Sequence, residues 1–106
     1  MYSRVTLLEI DTLRVDMDDA VQLFTEQVLP RLREQDGYEG VVVLTTPEGK
    51  GMIISVWATE KAAEAAGIFA SAQLEQHMML FKAPPGREHY EVALAEMPGV
   101  TVGGEA

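Results

Sequence analysis

Few side chains in this sequence could carry chemistry, since it has two histidines, no cysteine and no asparagine. The neutral imidazole of His77 could take a proton from a phenol near neutral pH. Gln76-His77-Met78 also reads as an ordinary stretch of an amphipathic segment, with no orienting group beside the histidine. His89 stands between Glu88 and Tyr90, and in a strand it would share a face with Glu91 while Tyr90 takes the other. Neither histidine has carboxylates at a spacing that suggests a metal site, so no metal is expected. Glu9 interrupts an apolar strand, which makes it either a residue at the sheet edge or a buried pocket acid with a raised pKa. Tyr38 follows Gly37 and could hydrogen-bond a ligand or cap a rim. Trp57, the single tryptophan, ends a strand, where it either walls a pocket or anchors a helix in the core. Met52, Met78 and Met79 could line an adaptable pocket or fill the core. Gly49-Lys50-Gly51 joins two strands rather than opening a helix, so it is a turn and not a phosphate loop.

These residues must be positioned by a short chain. Its 106 residues suffice for one domain near the lower limit for a substantial core. Val5-Thr6-Leu7-Leu8-Glu9-Ile10 reads as a first strand. Met17, Val21, Phe24, Val28 and Leu32 recur at helical spacing behind the acidic Asp16, Asp18 and Asp19, predicting a helix over about 16–35. Pro30 should kink or loosen its last part, and Gly37 should lie just past its end. Gly40 to Thr46 and Gly51 to Trp57 form two apolar runs around Pro47-Glu48-Gly49-Lys50, a hairpin that must be covered on both faces. A second helix opens at Thr59-Glu60-Lys61-Ala62 and is weakened by Gly67, with a bend near Gly67 and Ser71. A further helical segment is expected from about Ala72 to Phe81, closed by Ala83-Pro84-Pro85-Gly86. Tyr90, Val92 and Leu94 alternate as a last strand, and 98–106 reads as a mobile tail or short extension beyond a domain of residues 1–97.

Strand, helix, strand, strand, helix, strand describes two βαβ halves. Right-handed crossovers fold them into the α+β ferredoxin-like split βαβ arrangement, a four-stranded antiparallel sheet with both helices on one face. Large apolar residues would then occupy the uncovered face, an extent unusual on a monomer, and a two-fold homodimer packing sheet against sheet would cover them.

Composition narrows the partners. A net charge of −9 repels phosphate backbones and anionic lipids, and no basic stripe offsets it, so nucleic acid is disfavoured. Apolar stretches fall short of a membrane span. The missing cysteines and the lack of a leader-like start favour a reducing, cytoplasmic setting.

The stretch Pro30…Gly37-Tyr38-Glu39-Gly40, a hairpin, and then Ile54-Ser55-Val56-Trp57-Ala58-Thr59-Glu60-Lys61-Ala62 resembles the antibiotic-biosynthesis-monooxygenase-type domains of the dimeric α/β barrel superfamily. The resemblance covers about residues 4–96. It implies a sheet-to-sheet dimeric barrel, and its members include cofactor-independent monooxygenases of anthrone- or quinol-like aromatics and haem-degrading enzymes. Trp57 matches the tryptophan that contributes to the substrate pocket in some of them. Ile53 stands where some oxygenases carry an asparagine, and cannot donate a hydrogen bond to a substrate oxygen. His77 lies near where members place a basic or haem-ligating side chain. The haem-degrading branch uses an asparagine in the first strand and a second tryptophan in the second helix. This chain has neither, so haem degradation is not expected and no cofactor is implied.

Two functions follow from different classes. One is a small oxygenase without a prosthetic group, with His77 as base and Trp57, Tyr38, Glu9 and Ile53 about the substrate. The other is a non-catalytic dimer that binds a small aromatic or hydrophobic metabolite in the same pocket.

Overall fold

In the computed structural model, residues 1–76, 86–97 and 100–102 are described. The branched, apolar run at the start forms strand β1 (Tyr2–Glu9). Two further strands, β2 (Tyr38–Thr45) and β3 (Lys50–Trp57), make the hairpin, and β4 spans Gly86–Glu91. All pairs are antiparallel and the order across the sheet is β2-β3-β1-β4. This is the ferredoxin-like arrangement, in which each half contributes one central and one outer strand. A short separate hairpin, β5 (Ala95–Met97) with β6 (Val100–Val102), follows.

The first helix begins as its sequence suggests. Asp16 is in extended conformation and its carboxylate accepts from the Asp18 amide at 3.0 Å, capping α1 (Met17–Leu23). Helical conformation continues through a π-helical turn, Phe24–Val28, into α2 (Leu29–Arg33). The expected disturbance at Pro30 takes this form. Proline brings no N–H to the helix and its ring crowds the carbonyl four residues back. The wider turn before it, closed by the Leu29 amide on the Phe24 carbonyl, absorbs that misfit. Gly37, at φ +80°, then reverses the chain, and its carbonyl accepts from the Ala58 amide at 2.8 Å.

The second helix differs from its expected outline. α3 runs without interruption from Glu60 to Gln76, through Gly67 and Ser71, instead of as two segments with a bend. Thr59 caps it through its hydroxyl to the Ala62 amide at 3.1 Å, and the Ser71 hydroxyl donates to the Gly67 carbonyl at 2.9 Å. Gly67 does not interrupt the helix because its missing side chain is used for a close approach. A Cβ there would lie 2.5 Å from Nη1 of Arg4. The expected continuation over 77–81 lies outside the described residues.

Both helical stretches cover one sheet face. The register places Tyr2, Arg4, Thr6 and Leu8 of β1 beside Trp57, Ser55, Ile53 and Gly51 of β3 on that side. Leu32, Trp57, Ala63 and Ala66 form the buried core, packed by Phe24, Leu29, Val41 and Phe69. The alternate residues, among them Val5, Leu7, Val42, Leu44, Ile54 and Val56, face the other way. Leu7, Val42 and Leu44 remain about half exposed there.

Candidate functional site

A bulge decides the shape of the core end of the sheet. Between β2 and β3, Gly40 pairs with Val56 and Tyr38 with Trp57, leaving Glu39 as an extra residue. One inserted residue inverts the alternation. Tyr38 therefore lands on the helix-covered face, where its ring meets Trp57 edge-on with centroids 5.6 Å apart. Trp57 is fully buried. Its indole N–H donates to the Ser55 hydroxyl oxygen at 2.9 Å, a bond between two side chains on the same strand face.

Beyond this aromatic pair a cleft of about 130 Å³ opens between sheet and helices. Its floor is the inner face of β1, β2 and β3, with Thr6, Leu8, Val43 and Ile53. Its walls include Met17, Phe24 and Val28 on one side and Phe69, Ala70 and Gln73 of α3 on the other. The π-helical turn contributes both Phe24 and Val28. An apolar cavity of about 150 Å³ takes a benzene-sized molecule. This cleft is close to that size and opens on one side.

Polar groups are few, and apart from the exposed Thr45 they are buried. Arg4, Thr6, Ser55 and Gln73 all line the cleft and are each at most 9% exposed. Arg4 is the one ionisable side chain among the described residues of the lining. The arrangement sets polar side chains within apolar walls, where electrostatic interactions are stronger than in water. No carboxylate or imidazole of the described residues lines it.

The residues singled out in the sequence fall in different places. Trp57 and Ile53 line the cleft. Tyr38 packs on Trp57 without lining it. Glu9 sits at the end of β1 on the opposite sheet face, in register with Lys50 and beyond the last β1–β4 pair. It takes no part in the cleft because its odd position in the strand turns it away. His77 lies outside the described residues. For His89, the register sets its backbone opposite Arg4. Among the described residues no three His, Cys, Asp or Glu side chains gather as a metal site would need, and no helix is long and apolar enough to cross a membrane.

Arg4, Gln73 and Ser55 were not singled out from sequence. The strand expected over Val5–Ile10 begins earlier, at Tyr2, and this earlier start is what brings Arg4 into the inward-facing series Tyr2, Arg4, Thr6, Leu8.

No protein-family model matches the sequence, and no curated protein does. Solved structures do match in three dimensions. A Nitrosomonas europaea protein of unknown function, NE2512, is similar with a TM-score of 0.72 at 20% identity, over 92% of this chain and 93% of that one. The ActVA-Orf6 monooxygenase of Streptomyces coelicolor, solved in complex with nanaomycin D, is similar with a TM-score of 0.70 at 19% identity, over 92% and 91%. The haem-degrader MhuD of Mycobacterium tuberculosis, solved with two haems in its active site, has a TM-score of 0.68 at 16% identity, over 92% and 100%. With its sheet order, its two helical stretches on one face and these overlays, the chain has the ferredoxin-like fold that these structures share.

Proposed function

We propose that this protein is a cofactor-independent monooxygenase acting on a small aromatic substrate of the quinol or anthrone type. The observation that carries the reading is the cleft between sheet and helices, apolar on its walls and furnished with buried donors beside the single tryptophan. The fold it shares with a monooxygenase supports the same reading. In the reaction a phenolic or activated C–H proton leaves to a base, and the substrate anion gives one electron to oxygen. Recombination of the two radicals forms a C–O bond to a hydroperoxide. Loss of water from it leaves a carbonyl, so one CH₂ and one O₂ become C=O and H₂O. The protein contributes burial, alignment and stabilisation of the anion. His77 follows four residues after the cleft-lining Gln73 in sequence, and in this proposal it takes the proton.

The assembly belongs to the same proposal. Val42, Leu44, Leu7 and Tyr90 leave the outer sheet face about half exposed and apolar, which favours a homodimer packed sheet to sheet. A strictly monomeric species at micromolar concentration in sedimentation would contradict it.

A non-catalytic metabolite-binding protein is the second reading, favoured by the absence of a base among the described residues that line the cleft. Oxygen uptake by metal-free protein with anthrones, naphthols and hydroquinones separates the two. Uptake above the spontaneous rate that falls in Trp57→Phe or His77→Ala supports the oxygenase. Saturable quenching of Trp57 without uptake supports the binding protein.

A further inference from the structure

The stripe that α3 lays against the sheet changes character toward its end. Ala63, Ala66 and Ala70 recur at helical spacing, and Gln73 takes the next place in the series. Ala63 and Ala66 are buried in the core, while Ala70 and Gln73 line the cleft, and Gln73 is only 8% exposed. Burying an amide without a hydrogen bond destabilises a fold, and another apolar side chain here would not. Among the described residues the Gln73 amide has no hydrogen-bond partner, and neither has the hydroxyl of Thr6, itself 7% exposed. Neither group is sealed off, since Ser3 Oγ is the one enclosed and unpartnered side-chain oxygen or nitrogen among those residues. The access they keep is through the cleft that both line.

Two contacts set these groups level with each other. Glu60, at the start of α3, is near enough to raise the pKa of Tyr2, and Gly67 lies against Arg4, so α3 follows β1 in the same direction. Gln73 stands six residues beyond Gly67, about 9 Å at a helical rise of 1.5 Å. Thr6 stands two residues beyond Arg4, about 7 Å along a strand. Ser55, opposite Arg4 in register, accepts from the Trp57 indole and keeps its own hydroxyl hydrogen for another partner.

We propose that the cleft holds its aromatic ligand by a carboxamide or lactam edge, an N–H and a C=O side by side, which pairs with the amide of Gln73. The inference rests on the cleft being a ligand site and adds the polar substituent that the site reads. A glutamine amide presents a carbonyl and N–H donors in one plane. An edge with adjacent donor and acceptor satisfies both ends at once, and the Thr6 hydroxyl can add a bond to the ligand carbonyl. A ketone leaves Oε1 of Gln73 buried and unpaired, a loss of the kind that separates close analogues most strongly. A carboxylate faces Oε1 with like charge and approaches a chain of net charge −9, while Arg4, the charged residue of this lining, already interacts within the protein. The apolar walls, with Phe24, Val28 and Phe69, take the ring.

The test compares benzamide with acetophenone, in which a methyl replaces the amide nitrogen, and with benzoate. Binding is followed by calorimetry and by the indole N–H resonance of Trp57, the single tryptophan, in proton–nitrogen correlation spectra. Wild-type protein is expected to bind benzamide about tenfold tighter than either analogue. Gln73→Leu should abolish the preference over acetophenone by weakening benzamide alone, and Thr6→Val should reduce it. Because the amide has no protein partner, Gln73→Leu should leave Tm unchanged or raise it, and a marked fall in Tm would make the amide structural and overturn the inference. Equal affinity of wild-type protein for benzamide and acetophenone, or benzoate binding as tightly as benzamide, overturns it while leaving the cleft a ligand site. Equal weakening of benzamide and acetophenone by Gln73→Leu overturns it too. Failure of wild-type protein to bind any of the three overturns the ligand-site reading as well.

Discussion

The hydrogen bond between Trp57 and Ser55 offers the most direct energetic test of how the cleft is built. Trp57→Phe removes the indole N–H and about three heavy atoms from a fully buried position. The lost bond is worth about 1 kcal/mol. The unfilled space adds roughly 2 kcal/mol at about 0.8 kcal/mol per buried carbon group. A total near 3 kcal/mol should lower Tm by roughly 12 °C, taking about 4 °C per kcal/mol for a domain of this size. Ser55→Ala leaves the buried indole N–H without its acceptor, at a cost of about 1–3 kcal/mol. The double variant has neither partner, so its loss should fall short of the sum of the single losses by about 1–2 kcal/mol. Urea unfolding should be followed by far-UV circular dichroism, because Trp57→Phe deletes the only tryptophan. Protomer concentration must be held constant in case unfolding is coupled to dissociation. Additivity within about 0.3 kcal/mol would refute the reasoning, since the two side chains would then contribute independently.

Two other perturbations test the frame around the site. Gly37→Ala places a Cβ at φ +80°, 2.6 Å from that of Ala62, and should destabilise the fold by about 2–4 kcal/mol through backbone strain and overpacking. Ala62→Gly in the same chain should recover part of that loss in thermal unfolding, and no recovery would discount the clash. The Tyr2 phenol is held above its ordinary pKa by the carboxylate of Glu60, then that of Glu91, with burial adding to them. Ultraviolet difference titration against Tyr2→Phe should show this, and Glu60→Gln should bring the value down. A raised phenol pKa means the folded chain keeps the proton longer. The associated stability is complete below the unfolded pKa and is lost as pH rises through the folded one.

Much of the architecture is legible in local pattern. Branched apolar runs mark β1 and the β2–β3 hairpin, and residues 17, 21, 24, 28 and 32 at helical spacing mark the first helix behind its Asp16 cap. These signals work because side-chain period follows directly from backbone geometry. Alternation also brings Trp57, Ser55 and Ile53 to one face without knowledge of any neighbour. Pro30 announces a disturbance of the helix, though not the π-helical turn that accommodates it.

What escapes local pattern depends on contacts between distant segments. Tyr38 reaches Trp57 only because the extra residue at Glu39 inverts the strand's alternation, and a bulge is set by pairing with the partner strand. Gly67 reads as a weak point of a helix until Arg4, from the far end of the chain, occupies the space its missing side chain leaves. Glu9 looks like a candidate pocket acid, but the register turns it to the opposite face, while Arg4 and Gln73 enter the cleft unannounced. Periodicity says which residues share a face. Only the packing of sheet against helices decides which face encloses a cavity, and so which polar groups are removed from water and able to hold a ligand.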